Sequence, residues 1–277
     1  MFVPVISPQR LVAPPEDWGA LRDFIHESTG VHYADPRLPL LVERLQGRLK
    51  TVDAQGAHDL LLRLKYDETG QELRQLRDLA APHESGFFRE AEQLDALVEE
   101  VLPPLGGEGP VRVWSVGCGA GEEAYSLRYR LGQDDAVSER GLEVLGWDLS
   151  ERCVADARRG EYRGAAVRDV PETVKPQLFE DRAGMLRVRD RWRQGVSFEA
   201  GNLLELEPGE RAEPDAVFCR NVMMYFSETS RKRAAAVLYE CLRDGGFLFL
   251  GKAESLHGVS RAFRPVTFRR GLGYRKD

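Results

Sequence analysis

Gly117, Gly119 and Gly121 alternate with single residues after the apolar run "VRVWSV", and Glu122 and Glu123 follow at once. A glycine-rich turn between a strand and a helix lets backbone approach a ligand closely, and the helix's open N–H groups then favour an anion. A phosphate would also want lysine or arginine beside it. Here two carboxylates open the helix instead. Acids at a helix start partly answer the macrodipole, but two of them repel a pyrophosphate and suit a cation. The next strand, "LEVLGWDL", carries Asp148 at its end, where a carboxylate can accept hydrogen bonds from two ribose hydroxyls. The stretch from Gly117 to Asp148 is longer than the roughly 20 residues usual in dinucleotide folds, which disfavours NAD. S-adenosylmethionine has ribose hydroxyls, an ammonium and a sulfonium, and no phosphate, and it fits all three features. The turn alone is a weak signal, since a plain tight strand-to-helix connection has the same composition.

These residues need a sheet to hold them. "VRVWSV", "LEVLGWDL", "VSFEAGNLL", "DAVFCRNVMMYF" and "GGFLFLG" read as strands. They alternate with helical stretches over 121–132, from Cys153 to Arg159, and over 228–243, the last capped by Ser227. The expected class is α/β, a parallel doubly wound sheet with a closing hairpin at "FRPVTFRRGLGYRK" adding antiparallel strands at one edge. Residues 162–196 break the alternation and read as a small inserted β-subdomain.

Upstream, a short arm over 1–13 precedes apolar residues at helical spacing: Trp18, Leu21, Phe24 and Ile25, then Leu38, Leu41, Val42, Leu45 and Leu49. Leu60, Leu61 and Leu64, then Leu73, Leu76 and Leu79, repeat the pattern. The expected organisation is a helical N-terminal domain over 1–82, a linking loop and helix over 83–110, and the α/β domain over 111–277. Arg44, Arg48 and Lys50 share or border one face of the second helix; they form either a solvated face or a docking surface for an acidic partner.

Bulk properties narrow the class. The chain has 277 residues, 42% of them hydrophobic, and a net charge of −6. That balance argues against a general nucleic-acid binder. The four cysteines form no CxxC pair and the histidines are dispersed, so neither a zinc site nor a disulfide framework is expected. No stretch approaches ~18 apolar residues, and the start lacks a signal-peptide pattern. The expected setting is the cytoplasm, with no membrane insertion.

The stretches "ESGFFRE", "VWSVGCGAGEEAYS", "WDLSERCVADARRGEYR", "GNLLE", "FCRNVMMYF" and "GFLFLGKAES" together carry a family likeness. The chain resembles the CheR-type chemotaxis protein methyltransferases, which methylate receptor glutamates, over about residues 15 to 275. The resemblance implies a helical N-terminal domain, a Rossmann-like class I methyltransferase sheet and an inserted β-subdomain. It implies S-adenosylmethionine as methyl donor and S-adenosylhomocysteine as product. Residue by residue, it implies that Glu123 meets the amino-acid end of the cofactor and Asp148 its ribose. Asn202 and Leu203 border the adenine, Gly117 and Gly119 form the cofactor turn, and Arg220 and Asn221 lie in the cofactor pocket. Arg89 and Tyr225 stand at the transfer site, with Arg89 also near the cofactor. The family's "TN-x-T-x-FFR" places an Asn and a Thr on the cofactor; this chain has His83 and Ser85 there. The family's "CSTGEEPYS" is "CGAGEEAYS" here. The inserted subdomain is short between Phe179 and Leu186, which points to docking of a chemoreceptor-like substrate through the N-terminal helices, by a monomeric enzyme.

Methyl transfer to a glutamate needs no general base, because that carboxylate is already ionised near neutral pH, and it needs no metal. Two alternatives stay open on the residues: a methyltransferase with another acceptor, and a cofactor-binding signalling module without transfer.

Overall fold

The computed structural model describes residues 17–80, 85–105 and 109–277. The expected arm over 1–13 and His83 lie outside these. The chain divides into two units, one ending at Ala80 and the other beginning at Ala81.

In the first unit the apolar spacing becomes α1 (Asp17–Thr29), α2 (Leu38–Thr51), α3 (Ala57–Tyr66) and α4 (Gln71–Ala80). Residues three and four apart share a helix face, so Leu21 and Ile25, Leu41 and Leu45, Leu60 and Leu64, and Leu76 turn inward and are buried. The same spacing puts Arg44 and Arg48 together, but they do not form an open basic face. Arg44 Nη1 donates to the Tyr33 hydroxyl at 2.9 Å and to the Ala80 carbonyl at 3.2 Å. Arg48 grips Glu72 of α4 with two donors, at 3.1 and 2.6 Å. Both arginines therefore tie the unit's own elements together. Of the three basic residues expected to form a docking surface, Lys50 alone is exposed.

The second unit opens with α5 (Ala91–Ala96), which passes through a single π stretch, Leu97–Val101, into α6 (Leu102–Leu105). The alternating pattern then gives β1 (Val111–Val116), α7 (Glu122–Leu131), α8 (Asp135–Arg140), β2 (Leu142–Asp148) and α9 (Glu151–Arg159). Next come β3 (Glu161–Tyr162), α10 (Lys175–Leu178), β4 (Phe179–Arg182), β5 (Met185–Val188), α11 (Asp190–Arg193), β6 (Val196–Ala200) and β7 (Ala216–Cys219). The chain closes with α12 (Glu228–Cys241), β8 (Phe247–Leu250), β9 (Phe263–Phe268) and β10 (Gly271–Lys276).

The main sheet runs β6-β2-β1-β7-β8-β10-β9. The five strands from β6 to β8 are parallel, while β10 and β9 join antiparallel. This is the doubly wound α/β class expected from the alternation, closed by the expected hairpin. Its central strands are apolar on both faces because helices cover both; β7 and β8 are buried at every position. The chain steps outward from β1 to β2 and β6, then returns to β7 on the other side of β1. In open α/β sheets ligands bind beyond the carboxyl ends of the strands at such a reversal, which here falls between β1 and β7.

A separate antiparallel sheet, β3-β5-β4, lies within 161–188. Phe87 packs edge-on against Tyr162 of β3 and Phe179 of β4, at 4.8 and 5.0 Å between ring centroids. The small sheet thereby anchors the turn that carries Arg89.

Candidate active site

The glycine loop follows β1. Gly117, Gly119 and Gly121 all have left-handed backbone, with φ of 74°, 55° and 93°, a region glycine adopts without steric cost. The loop is pinned to the end of β2. Gly117 and Cys118 both donate to the Trp147 carbonyl, at 2.7 and 3.1 Å, and Gly119 N donates to Asp148 Oδ2 at 2.8 Å. Asp148 Oδ1 accepts from Ser150 N at 2.9 Å. Asp148 thereby shapes the loop that it borders. Ser85 lies against the same loop: a methyl group on Gly119 would meet its Cβ at 3.1 Å and its Oγ at 3.4 Å.

The two acids opening α7 have different environments. Glu123 Oε1 accepts from Ser115 Oγ at 2.7 Å and Oε2 from Arg220 Nε at 2.6 Å. Glu122 is 4% exposed and its Oε2 is without a hydrogen-bond partner. Burial pushes the Glu122 carboxyl above the ordinary carboxylate range, while hydrogen bonds from its own backbone N–H and from Ser85 act the other way. The folded protein therefore holds that proton to higher pH than the unfolded chain does. Its contribution to stability is present below the unfolded value and is lost as pH rises through the folded one. Glu122→Gln is accordingly expected to raise the melting temperature more at about pH 8 than at about pH 5. Calorimetry at both pH values checks this; a gain independent of pH would remove the assignment.

Arg89 projects from a turn with unusual backbone. Phe88 and Glu90, on either side of it, have φ of 57° and 50°, a conformation that costs non-glycine residues on the order of 1–2 kcal/mol each. The turn is held from several sides. Phe87 N donates to the Ala166 carbonyl at 3.3 Å, and Phe88 N donates to Ser126 Oγ of α7 at 2.9 Å. Arg220 Nη1 donates to the Arg89 carbonyl at 2.6 Å. Glu90 Oε2 accepts from Lys252 N at 3.2 Å, and Glu92 pairs with Lys252 Nζ at 3.4 Å. Arg89 itself is exposed.

Tyr225 ends a short 3-10 turn, Met223–Tyr225, after β7, and is partly buried. The loop leading to it is clamped by Glu254, whose carboxylate accepts from Asn221 N at 2.6 Å, Met224 N at 3.0 Å and Gly251 N at 2.9 Å. Asn221 stands in left-handed backbone, φ 61°.

Asn202 and Leu203 follow β6 and are buried. Asn202 Oδ1 caps the turn by accepting from Leu204 N at 3.0 Å, and its Nδ2 donates to Glu205 at 3.2 Å. Gly117, Gly119, Glu123, Asp148, Arg220 and Asn221 therefore meet at the carboxyl ends of β1, β2 and β7, with Ser85 against the glycine loop and Arg89 tied in through Arg220. Asn202 and Leu203 stand at the end of the outermost strand. The sequence reading passed over Gln93, Ser115 and Glu254. Ser115 carried a signal, a lone hydroxyl within the apolar "VRVWSV" that is fully buried and so needs a partner.

The donor set fits a cationic, phosphate-free nucleoside. Two carboxylates line the strand ends, and the buried arginine among them is already neutralised by Glu123. The thiols take no part: burial drives Cys118 and Cys219 well above the usual thiol range, so both stay protonated near neutral pH. Among the described residues no group of His, Cys, Asp and Glu is placed to hold a metal.

A family profile described as "CheR methyltransferase, SAM binding domain" matches residues 83–272. The chain is 31% identical to "Chemotaxis protein methyltransferase 2" of Vibrio cholerae serotype O1, over 96% of this chain and 94% of that relative. It is 28% identical to "Chemotaxis protein methyltransferase 2" of Pseudomonas aeruginosa, over 95% of each. It is 29% identical to "Chemotaxis protein methyltransferase" of Klebsiella aerogenes, over 92% of this chain and 88% of that one.

Proposed function

Because the chain belongs to the CheR methyltransferase family, we propose that it methylates glutamate side chains of a chemoreceptor-like protein, with S-adenosylmethionine as donor. The carrying observation is the direct ion pair between Glu123 and Arg220, with Arg220 also holding the Arg89 carbonyl. A carboxylate suited to the donor's ammonium is thereby built into one hydrogen-bonded unit with the turn that presents Arg89.

When bound, S-adenosylmethionine supplies an electrophilic methyl group on its sulfonium. Asp148 holds the ribose, Glu123 the ammonium, Gly117 and Gly119 give backbone clearance, and Leu203 and Asn202 bound the adenine. Arg89 would orient the incoming carboxylate with its planar fork, and Tyr225, on the turn after β7, would bring its ring and hydroxyl to the acceptor. No proton has to be removed from the acceptor, so the chain's work is alignment, which is worth up to roughly 7–11 kcal/mol in favourable cases. Docking of the substrate protein through the helical unit rests on exposed Lys50, since Arg44 and Arg48 are committed internally. The proposed working state is a monomer in the cytoplasm. Among the described residues no helix is long and apolar enough to cross a membrane.

Incubation with tritiated S-adenosylmethionine and purified receptor cytoplasmic domains tests the proposal. Base-labile label on the receptor is expected. Label in a small molecule would favour another acceptor, and binding of S-adenosylhomocysteine without transfer to any acceptor would favour a signalling module. Binding of NAD with no binding of S-adenosylhomocysteine would overturn the cofactor assignment itself.

A further inference from the structure

Arg220 is 3% exposed on its side chain and stands at the end of β7, where the resemblance makes it a lining residue of the cofactor pocket. Its bonds go elsewhere. Nε donates to Glu123 Oε2 at 2.6 Å. Nη1 donates to the Arg89 carbonyl at 2.6 Å, with the Glu90 carbonyl and Gln93 Oε1 each at 3.3 Å. Gln93 is fixed in turn, its Nε2 donating to the Leu250 carbonyl at 2.7 Å, and Ser115 fixes the other oxygen of Glu123. One guanidinium thus joins the first turn of α7 to backbone carbonyls in a turn whose flanking residues, Phe88 and Glu90, are left-handed. Such backbone persists only where the surroundings over-determine it.

We propose that Arg220 is a positioning residue that couples the donor-side carboxylate of Glu123 to the acceptor-side turn of Arg89. The two ends of the transfer site then keep one spacing, and filling the donor side orders the acceptor side. This rests on the methyltransferase reading above. A planar fork is required because one edge must meet a carboxylate while another meets carbonyls; a lysine ammonium supplies the charge without that geometry.

The test is amide hydrogen exchange on the full chain with and without S-adenosylhomocysteine. In the wild type the ligand is expected to slow exchange both in the loop 117–121 and in the turn 87–93. In Arg220→Lys, affinity by calorimetry is expected to stay within about tenfold of wild type. Protection of the loop should persist and protection of the turn should vanish. The variant Arg220→Gln, which leaves the donor-side carboxylate of Glu123 in place, is read in the same way should the lysine variant fold poorly. The turnover losses of Arg220→Lys and Arg89→Ala should also be non-additive, since Arg89 gives little once its turn is unmoored. Ligand protection of the turn surviving in the variants, or strictly additive losses, would overturn the coupling. A wild type that fails to bind S-adenosylhomocysteine would instead overturn the methyltransferase reading beneath it.

Discussion

Arg89→Ala is expected to lower turnover by about 10²–10³-fold, the loss typical when one preorganised hydrogen-bond donor is removed from an active site. Affinity for S-adenosylhomocysteine should fall far less, by under about tenfold. The asymmetry follows from how the residue is held. The backbone of Arg89 is held on its own account: its carbonyl accepts from Arg220, and the turn around it is pinned by Phe87, Phe88 and Glu90. Truncating the side chain leaves every one of those bonds in place, along with the Glu123–Arg220 pair that faces the donor. What disappears is the fork that orients an acceptor carboxylate. Tyr225→Phe should show the same split in milder form, because it removes one hydroxyl and keeps the ring. Parallel measurement of kcat on receptor fragments and of product affinity by calorimetry decides the matter; equal losses in both would strip the two residues of their assigned roles.

The contrast between Arg89 and Arg220 also shows which parts of the site a sequence can disclose. The glycine loop and Asp148 were readable because their chemistry is local: alternating glycines after an apolar run, then an acid at the end of the next strand. The parallel sheet was readable for the same reason, from strand and helix periods that alternate along the chain. Arg220 was different. Its partner Glu123 lies in the helix after β1, and only the return of the chain from β6 to β7, beside β1, brings the two together. Family likeness placed Arg220 in the pocket but said nothing of its bonds to Glu123 and to the Arg89 carbonyl. Glu254 was missed for the same cause, since the three N–H groups it gathers come from two loops. In the helical unit, spacing put Arg44 and Arg48 on one face, but helical period says nothing about Glu72, the acid from another helix that neutralises Arg48.

Gly117→Ala carries the second large expectation, and its effect should reach both ends of the site. Gly117 has φ of 74°, which costs an alanine roughly 1–2 kcal/mol. The added methyl would also overlap Cγ2 of Val222. Val222 is β-branched and stiff at χ1, so it cannot rotate aside cheaply. Its carbonyl accepts from Tyr225 N at 3.1 Å, so pushing Val222 moves the turn that presents Tyr225. Pushing the other way lifts Gly117 from the Trp147 carbonyl and disturbs the neighbouring Gly119–Asp148 bond. Strain and overlap together are expected to cost about 2–4 kcal/mol. For a chain of this size that lowers the melting temperature by at least several degrees, at about 2–4 °C per kcal/mol. Affinity for S-adenosylhomocysteine should drop by about 10–100-fold. Combining Gly117→Ala with Val222→Ala separates the two causes: space is restored while the backbone strain remains. Part of the lost affinity should then return, and the melting temperature should rise above that of Gly117→Ala alone. If the smaller side chain brought no recovery of binding, the close approach of β1's loop to β7's would not be what shapes the pocket.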